Sequence, residues 1–313
     1  MIEKALNYYH FDNPTTELLR HSEKQTYKIT VGEKSFVLRI HKPVEGFNQN
    51  DTNKQVLNEI ELLLHLSKKC NLLLQEVILN KFGKPVTLFD DEIPVTVLEW
   101  IDGSVLDSIE ITESIAYEVG VMTGKLHIDL ADMKLESPRN YDDILTLSMC
   151  NETSNALRQG HFDEKQARII TDALVYIQSY FLRHKHRFTL VHGDLSHSNM
   201  VYHENKIVPI DFSSNGRCIP EMDLAMIFGC INDENLNQHV LNGYKSVCRL
   251  KLDYTGIDAC SCLCILLFVV HQHERGISFP WFKDKVNDWC ENKFTPLIEN
   301  KEKSWLRLWK DVV

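Results

Sequence analysis

Hydrophobic and polar positions divide the chain into two differently patterned parts. From Gln25 to Val31 and from Lys34 to Ile40 apolar and polar residues alternate, with Tyr27, Ile29 and Val31 in the first run and Phe36, Leu38 and Ile40 in the second. A period of two gives each strand one buried face, and Gly32-Glu33 between them reads as a hairpin turn. Leu72 to Leu79, Lys84 to Phe89 and Pro94 to Trp100 read as three more strands, separated by Asn80-Lys81-Phe82-Gly83 and Asp90-Asp91. Residues 14 to 21 read as a short helix. Over Lys54 to Lys69 the period lengthens, with Val56, Ile60, Leu63, Leu64 and Ser67 at helical spacing and Asp51-Thr52-Asn53 offering N-cap side chains. Five strands and one principal helix predict a small α+β lobe ending near residue 102, where Gly103 permits a sharp exit.

Beyond that point the pattern turns helical. Thr112 to His127, Tyr141 to Arg158 and Asp163 to His184 carry helical periodicity. Ile115, Val119, Met122 and Leu126 make the first of these a buried central helix with His127, a core histidine, at its end. Ala259 to Val270 reads as a buried helix, too short an apolar run to span a bilayer. Into this helical region is set a different stretch. Leu190-Val191 reads as a strand entering the loop His192-Gly193-Asp194-Leu195-Ser196-His197-Ser198-Asn199. Two short strands follow, Asn199 to Tyr202 and Ile207 to Phe212, around a Glu204-Asn205 turn. Such a hairpin brings Asn199 and Asp211 to the same end.

The residue types at that end suit phosphoryl transfer from ATP. The reaction needs a carboxylate near the acceptor hydroxyl, an oxygen ligand for a metal, and a second carboxylate across the phosphates. Asp194, Asn199 and Asp211 supply these, and the last two are hard oxygen donors suited to Mg²⁺. Arg39 lies between apolar neighbours in Val37-Leu38-Arg39-Ile40, so its charge must find a partner or a ligand. Its planar guanidinium is suited to nucleotide phosphates. Glu59 sits beside the apolar stripe of the first long helix and could reach Arg39, with Glu61 as the competing choice. The backbone from Glu99 to Ile101, where the last strand leaves the lobe, is placed for the edge of an adenine.

Composition narrows the class. The chain has 313 residues, 43 % hydrophobic, with a formal net charge of −10, enough for two lobes and a sizeable core. Lys and Arg form no long block, so neither nucleic acid nor an anionic membrane is an expected partner. The acidic balance suits a cationic substrate. The N-terminal residues show no basic start followed by an apolar stretch, so no secretory signal is read there. Nine cysteines at irregular spacing argue for reduced thiols and a cytoplasmic location. Cys248, Cys260, Cys262 and Cys264, with His271 and His273, show neither CxxC nor HxxxH spacing, and the cysteines are expected to pack as buried apolar residues.

The run HGDLSHSNMVY, the following VPIDF, the VLRI strand, the LEWIDG hinge and the PEMDLA segment together resemble the aminoglycoside phosphotransferase and choline kinase family, relatives of the protein kinases. The resemblance covers roughly residues 20 to 230. It implies a two-lobed protein-kinase-like fold, a small antiparallel-sheet N-lobe and a larger, mainly helical C-lobe, with ATP between them and a hydroxyl-bearing small molecule held by the second. By the same resemblance Asp194 would be the catalytic base, Asn199 and Asp211 would hold Mg²⁺, His192 would brace the loop from behind, and Asp223 would steady it. The chain departs from the family pattern in three places. No glycine stands in Ser22-Glu23-Lys24-Gln25-Thr26, where Ser22 or Thr26 hydroxyls could substitute at the phosphates. Arg39 replaces the usual strand lysine. His197 occupies a variable loop position.

Two other readings share these residues. A protein kinase would carry lysine at Ser196 and an A-P-E signature, and only eleven residues separate Asp211 from Asp223, leaving little room for an activation loop. A non-catalytic nucleotide-binding protein would be favoured by loss of Asp194, Asn199 or Asp211, and all are present. The acceptor stays open among aminoglycosides, choline or ethanolamine, homoserine and sugar-like alcohols. Trp281, Trp289, Trp305, Trp309 and Tyr244 could form an aromatic cage for a quaternary amine or simply pack in the core.

Overall fold

A computed structural model describes residues 2–21, 24–42, 49–89 and 92–299. The protein is two-lobed. Its N-terminal sheet, antiparallel in the order β1-β2-β3-β5-β4, comprises β1 (Thr15–His21), β2 (Lys24–Val31), β3 (Lys34–His41), β4 (Thr87–Phe89) and β5 (Ile93–Glu99). One sheet face buries Ile29, Leu38, Ile40, Val95 and Val97 against Ala5 of the short helix α1 (Ile2–Leu6) and Tyr9. On the other, Leu98 joins Ile60, Leu63 and Leu66 of α2 (Gln49–Lys69) in a core that continues into the second lobe.

The sheet has the expected number of strands but not the expected membership. Residues 15–21 are a strand, not a helix: β2 has an open outer edge, and Thr15 to His21 satisfies it in register Thr15↔Thr30 through His21↔Gln25. Conversely, Leu72 to Leu79 makes only an isolated bridge, Val77↔Leu98. One edge of β5 is filled by β3, and β4 takes the first half of the other. Only the second half remains, where Ile78 N–H donates to Val97 O at 2.9 Å and Glu99 N–H to Glu76 O at 2.8 Å. The next strand shortens to Thr87–Phe89 because Asn80 Oδ1 accepts from the amides of Phe82 and Lys84 and curls the chain before it. Helix α2 starts at Gln49, so Asp51-Thr52-Asn53 lies within it and does not cap it.

The second lobe is built from α3 (Glu113–Leu130), α4 (Asp143–Arg158), α5 (Glu164–Arg183), α6 (Glu221–Ile231), α7 (Glu234–Val247) and α8 (Tyr254–His271), followed by shorter helices to Ile298. Thr112, Asp142 and Asp163 cap the first three, satisfying amides that open a helix without partners. Helix α8 has 18 residues and a mean hydropathy of 1.7, long and apolar enough by those measures to cross a membrane; here it packs against α4, α5 and α6.

Two three-stranded sheets position the site. β9 (Met200–His203) and β10 (Lys206–Pro209) form the anticipated hairpin, its turn residues Glu204 and Asn205 both at positive φ. The chain leaving the first lobe straps onto it as β6 (Ser104–Val105), in the order β10-β9-β6. The other sheet joins β7 (Arg139–Asn140), β11 (Gly216–Cys218) and β8 (Thr189–Val191) in the order β7-β11-β8.

Candidate active site

The loop from His192 to Asn199 leaves β8 and enters β9. Gly193 takes φ +79°, and a Cβ there would run into the carbonyl oxygen of Ser214, so both the turn and the close approach need glycine. Asp223, fully buried near the start of α6, holds this turn. Its Oδ2 accepts from His192 N–H at 2.9 Å and its Oδ1 from Gly193 N–H at 2.8 Å. Behind it His127 Nε2 lies 3.1 Å from Asp223 Oδ2, and His127 Nδ1 lies 2.9 Å from the Tyr244 hydroxyl. Burial by itself would raise the Asp223 carboxyl; the His127 hydrogen bond, with the His192 amide, outweighs it and holds the group below its ordinary value.

His192 is fixed by both ring nitrogens. Nε2 donates to Ile210 O at 3.1 Å, Nδ1 accepts from the Asp194 amide at 3.3 Å, and the ring packs on Phe212 with centroids 4.4 Å apart. These partners define a neutral tautomer, assigned from the network. Asn199 Nδ2 donates to Asp194 Oδ2 at 2.8 Å and to Asp194 O at 3.0 Å. That bidentate grip orients the carboxylate and turns Asn199 Oδ1 away, without a hydrogen bond among the described residues. Ile210 N–H donates to Asn199 O at 2.9 Å, which ties the approach to Asp211 to the loop.

Asp211 stands in a left-handed turn, φ +60°. From across the cleft Arg39 Nη1 lies 2.7 Å from Glu59 Oε1 and 3.8 Å from Asp211 Oδ1. Burial would lower the Arg39 pKa, but the carboxylates of Asp211 and Glu59 reverse it, so the guanidinium stays charged at 4 % exposure. Glu59 is the helix partner; Glu61 is exposed. Among the described residues no cluster of three or more His, Cys, Asp or Glu is arranged to hold a metal. Asn199 Oδ1 and the Asp211 carboxylate are hard oxygen donors of the type that Mg²⁺ takes.

At the exit from the first lobe, Glu99 is already engaged: its N–H goes to Glu76 O at 2.8 Å and its carbonyl accepts from Gln75 Nε2 at 2.9 Å. Trp100 N–H donates to Ser35 O at 3.1 Å. Ile101 N–H has no partner among the described residues, so of the expected pair Ile101 is the open position. Ser22, Trp305 and Trp309 lie outside the described residues; Thr26 is on β2 opposite Arg39.

Among the described residues Tyr244, Trp281 and Trp289 do not gather into one cage. Tyr244 is a core residue against His127, whereas Trp281 is half exposed and stacks on Phe268 and Phe279, with Trp289 edge-on to Phe268. His197 faces Asp107, with Nδ1 3.8 Å from Oδ1, and burial lowers its pKa against that carboxylate. Three site residues escaped the sequence reading: Gln75, which closes the Glu99 carbonyl; Tyr141, whose hydroxyl donates to Ser214 O at 2.7 Å; and Asp107. Gln75, a polar residue inside an apolar run, left a signal; the other two left none.

A carboxylate held by an asparagine, with a second carboxylate near a buried arginine–glutamate pair from the other lobe, sits in a protein-kinase-like fold. Residues 15–255 match the phosphotransferase enzyme family, and the chain belongs to that family. It is 23 % identical over 226 residues to the amicoumacin kinase of Bacillus subtilis (strain 168), a match covering 69 % of this chain and 63 % of that relative. Among solved structures it resembles amicoumacin kinase hAmiN in complex with AMP-PNP, Ca²⁺ and Ami, with TM-score 0.75 and 17 % identity over 96 % of this chain and 92 % of that one. It is equally similar to a microcompartment-associated aminopropanol kinase, with TM-score 0.75, 18 % identity and 98 % of both chains covered. Spectinomycin phosphotransferase APH(9)-Ia in complex with ADP and spectinomycin gives TM-score 0.67 at 15 % identity, covering 99 % of this chain and 96 % of that one.

Proposed function

We propose that the protein transfers the γ-phosphoryl group of ATP to a hydroxyl of a small, cationic molecule. The observation that carries this is the Asp194 carboxylate, gripped by Asn199 at 2.8 Å on a loop anchored to buried Asp223. In this reading Asp194 orients the acceptor hydroxyl and takes its proton, while Arg39, held by Glu59, meets the phosphates. Asn199 and Asp211 would hold Mg²⁺, which neutralises charge on the transferred group. His192 keeps the loop in shape, Ile101 N–H receives the adenine edge, and residue 102 divides the lobes. The preference for an amino alcohol is supported by the acidic chain and by a structural relative whose named substrate, aminopropanol, joins an amine to an alcohol.

The test is acceptor-dependent ADP release over a panel of aminoglycosides, amino alcohols, homoserine, sugars and neutral hydroxy acids. Wild type should turn over at least one amine-bearing alcohol, and Asp194→Asn should lose about 10²- to 10⁴-fold in kcat. Binding of Mg²⁺–AMP-PNP without turnover of any acceptor would overturn the catalytic reading. Activity confined to neutral hydroxy acids would remove the cationic preference.

A further inference from the structure

Outside the cleft between Arg39 and Asp194 lies a cavity of about 170 Å³. Its walls come from both lobes. Helix α2 contributes Lys54, Gln55 and Asn58, and the facing wall contributes Arg139 of β7 together with Ser213 and Asn215 from the segment after Asp211. Two cations, carboxamides and hydroxyls line it, and no aspartate or glutamate does. In a chain of net charge −10, a pocket lined by cations and no acid is a local inversion of sign. The adjoining groove along α2 shares Lys54 but also carries Glu61 and Glu136, so of the two only this cavity is lined by cations without a carboxylate.

Its position couples it to the candidate active site. Gln55 is one helical turn before Glu59, so both side chains lie on the same side of α2, and Glu59 holds Arg39 at 2.7 Å. Ser213 and Asn215 follow Asp211 directly, and the Ser213 amide donates to Asp211 Oδ1. A first tie between the walls already exists, Asn58 Nδ2 donating to Ser137 O at 2.8 Å. A ligand drawing Lys54 and Arg139 together would strengthen it and hold α2 against the turn that carries Asp211.

We propose that this cavity is an anion site that takes a single phosphate group, as inorganic phosphate or as the head of a phosphomonoester, and that its occupation favours closure of the lobes. Arginine forks onto two phosphate oxygens while lysine meets a third as a point charge. The volume admits one phosphate and its waters but falls below the 300 Å³ or so at which pockets begin to hold drug-sized ligands or nucleotides. Because coupling between sites is reciprocal, phosphate should tighten nucleotide binding by about fivefold or more. That coupling rests on the nucleotide site proposed above; the phosphate site itself does not.

The experiment is calorimetric titration of inorganic phosphate into the full chain, first alone and then with Mg²⁺–AMP-PNP saturating the cleft, so that phosphate cannot occupy the γ-position. Expected is saturable binding of one phosphate per chain in both conditions, weakened about tenfold or more in Lys54→Gln/Arg139→Gln and retained in Lys54→Arg/Arg139→Lys. The nucleotide affinity of Lys54→Gln/Arg139→Gln without phosphate should match wild type, which establishes that the variant folds. Absence of saturable phosphate binding in either condition, or equal phosphate affinity in Lys54→Gln/Arg139→Gln, would overturn the site. Phosphate binding that leaves the AMP-PNP affinity unchanged would overturn the coupling.

Discussion

On the sheet side of the cleft, Arg39 is held by a close ion pair with Glu59 at 2.7 Å and a longer one with Asp211 at 3.8 Å. On the helical side, Asp194 rides on a loop whose first amides, flanking histidine and neighbouring asparagine are engaged, and whose anchor, Asp223, is itself bonded to a buried His127–Tyr244 pair. On the first wall the Arg39–Glu59 contact joins two separate elements, a strand and α2, so its geometry follows how those two pack. The second is rigid because moving any member leaves a buried polar group without its partner. In the proposed reading, that division lets the cleft receive a nucleotide while the base stays in place.

Substitutions can break this contrast. The largest effect is expected at the reacting group: Asp194→Ala should lower kcat about 10²- to 10⁴-fold with a thermal midpoint close to wild type, measured by turnover and calorimetry together. Asp223→Ala should do the opposite. It strands two backbone amides and His127 in a site closed to water, a loss of about 3–5 kcal/mol in urea unfolding as for a broken buried pair.

Smaller effects belong to the sheet side. Glu59→Gln removes one charged partner of Arg39 but leaves Asp211 3.8 Å away; about 1.5–3 kcal/mol of stability and a clear rise in the nucleotide Kd are expected. If instead Glu59→Gln cost as much stability as Asp223→Ala, the two walls would be equally rigid and the contrast would fail. The smallest expected effect is in the acid limb. The Asp223 carboxyl is held below its unfolded value near 3.8, so its stabilisation is complete above that pH and is lost as pH falls through the folded value. Unfolding midpoints taken downward from pH 6 should show this loss in wild type and less of it in Asp223→Asn.

Much of the site was legible before the fold. Asp194, Asn199 and Asp211 could be grouped because a hairpin of short strands must bring its two ends together, and β9 and β10 do so, pairing Met200 with Pro209. Arg39 and Glu59 were found by a local rule, that a charge amid apolar residues needs a partner. What failed, failed for want of distant context. Thr15 to His21 is a strand because β2 offers an edge, and Leu72 to Leu79 is not because β5 offers only half of one. Strand formation depends on what lies alongside, and one-dimensional periodicity does not report that. The two-residue strands β6 and β7 are too short to carry any period at all.

The sequence by itself determined the chemistry: which carboxylates, amides and cations are present, their order, and the local turns that Gly193 and the Glu204-Asn205 pair impose. Only the tertiary structure decided their environments. It made His127 a brace for Asp223, closed the Glu99 carbonyl with Gln75, took Tyr244 out of any aromatic cage, and gathered Lys54 and Arg139 from opposite lobes into one cavity. Each of these pairs groups far apart along the chain. Their meeting depends on how lobes and helices pack, and neither residue of a pair carries a mark of the other in its own neighbourhood.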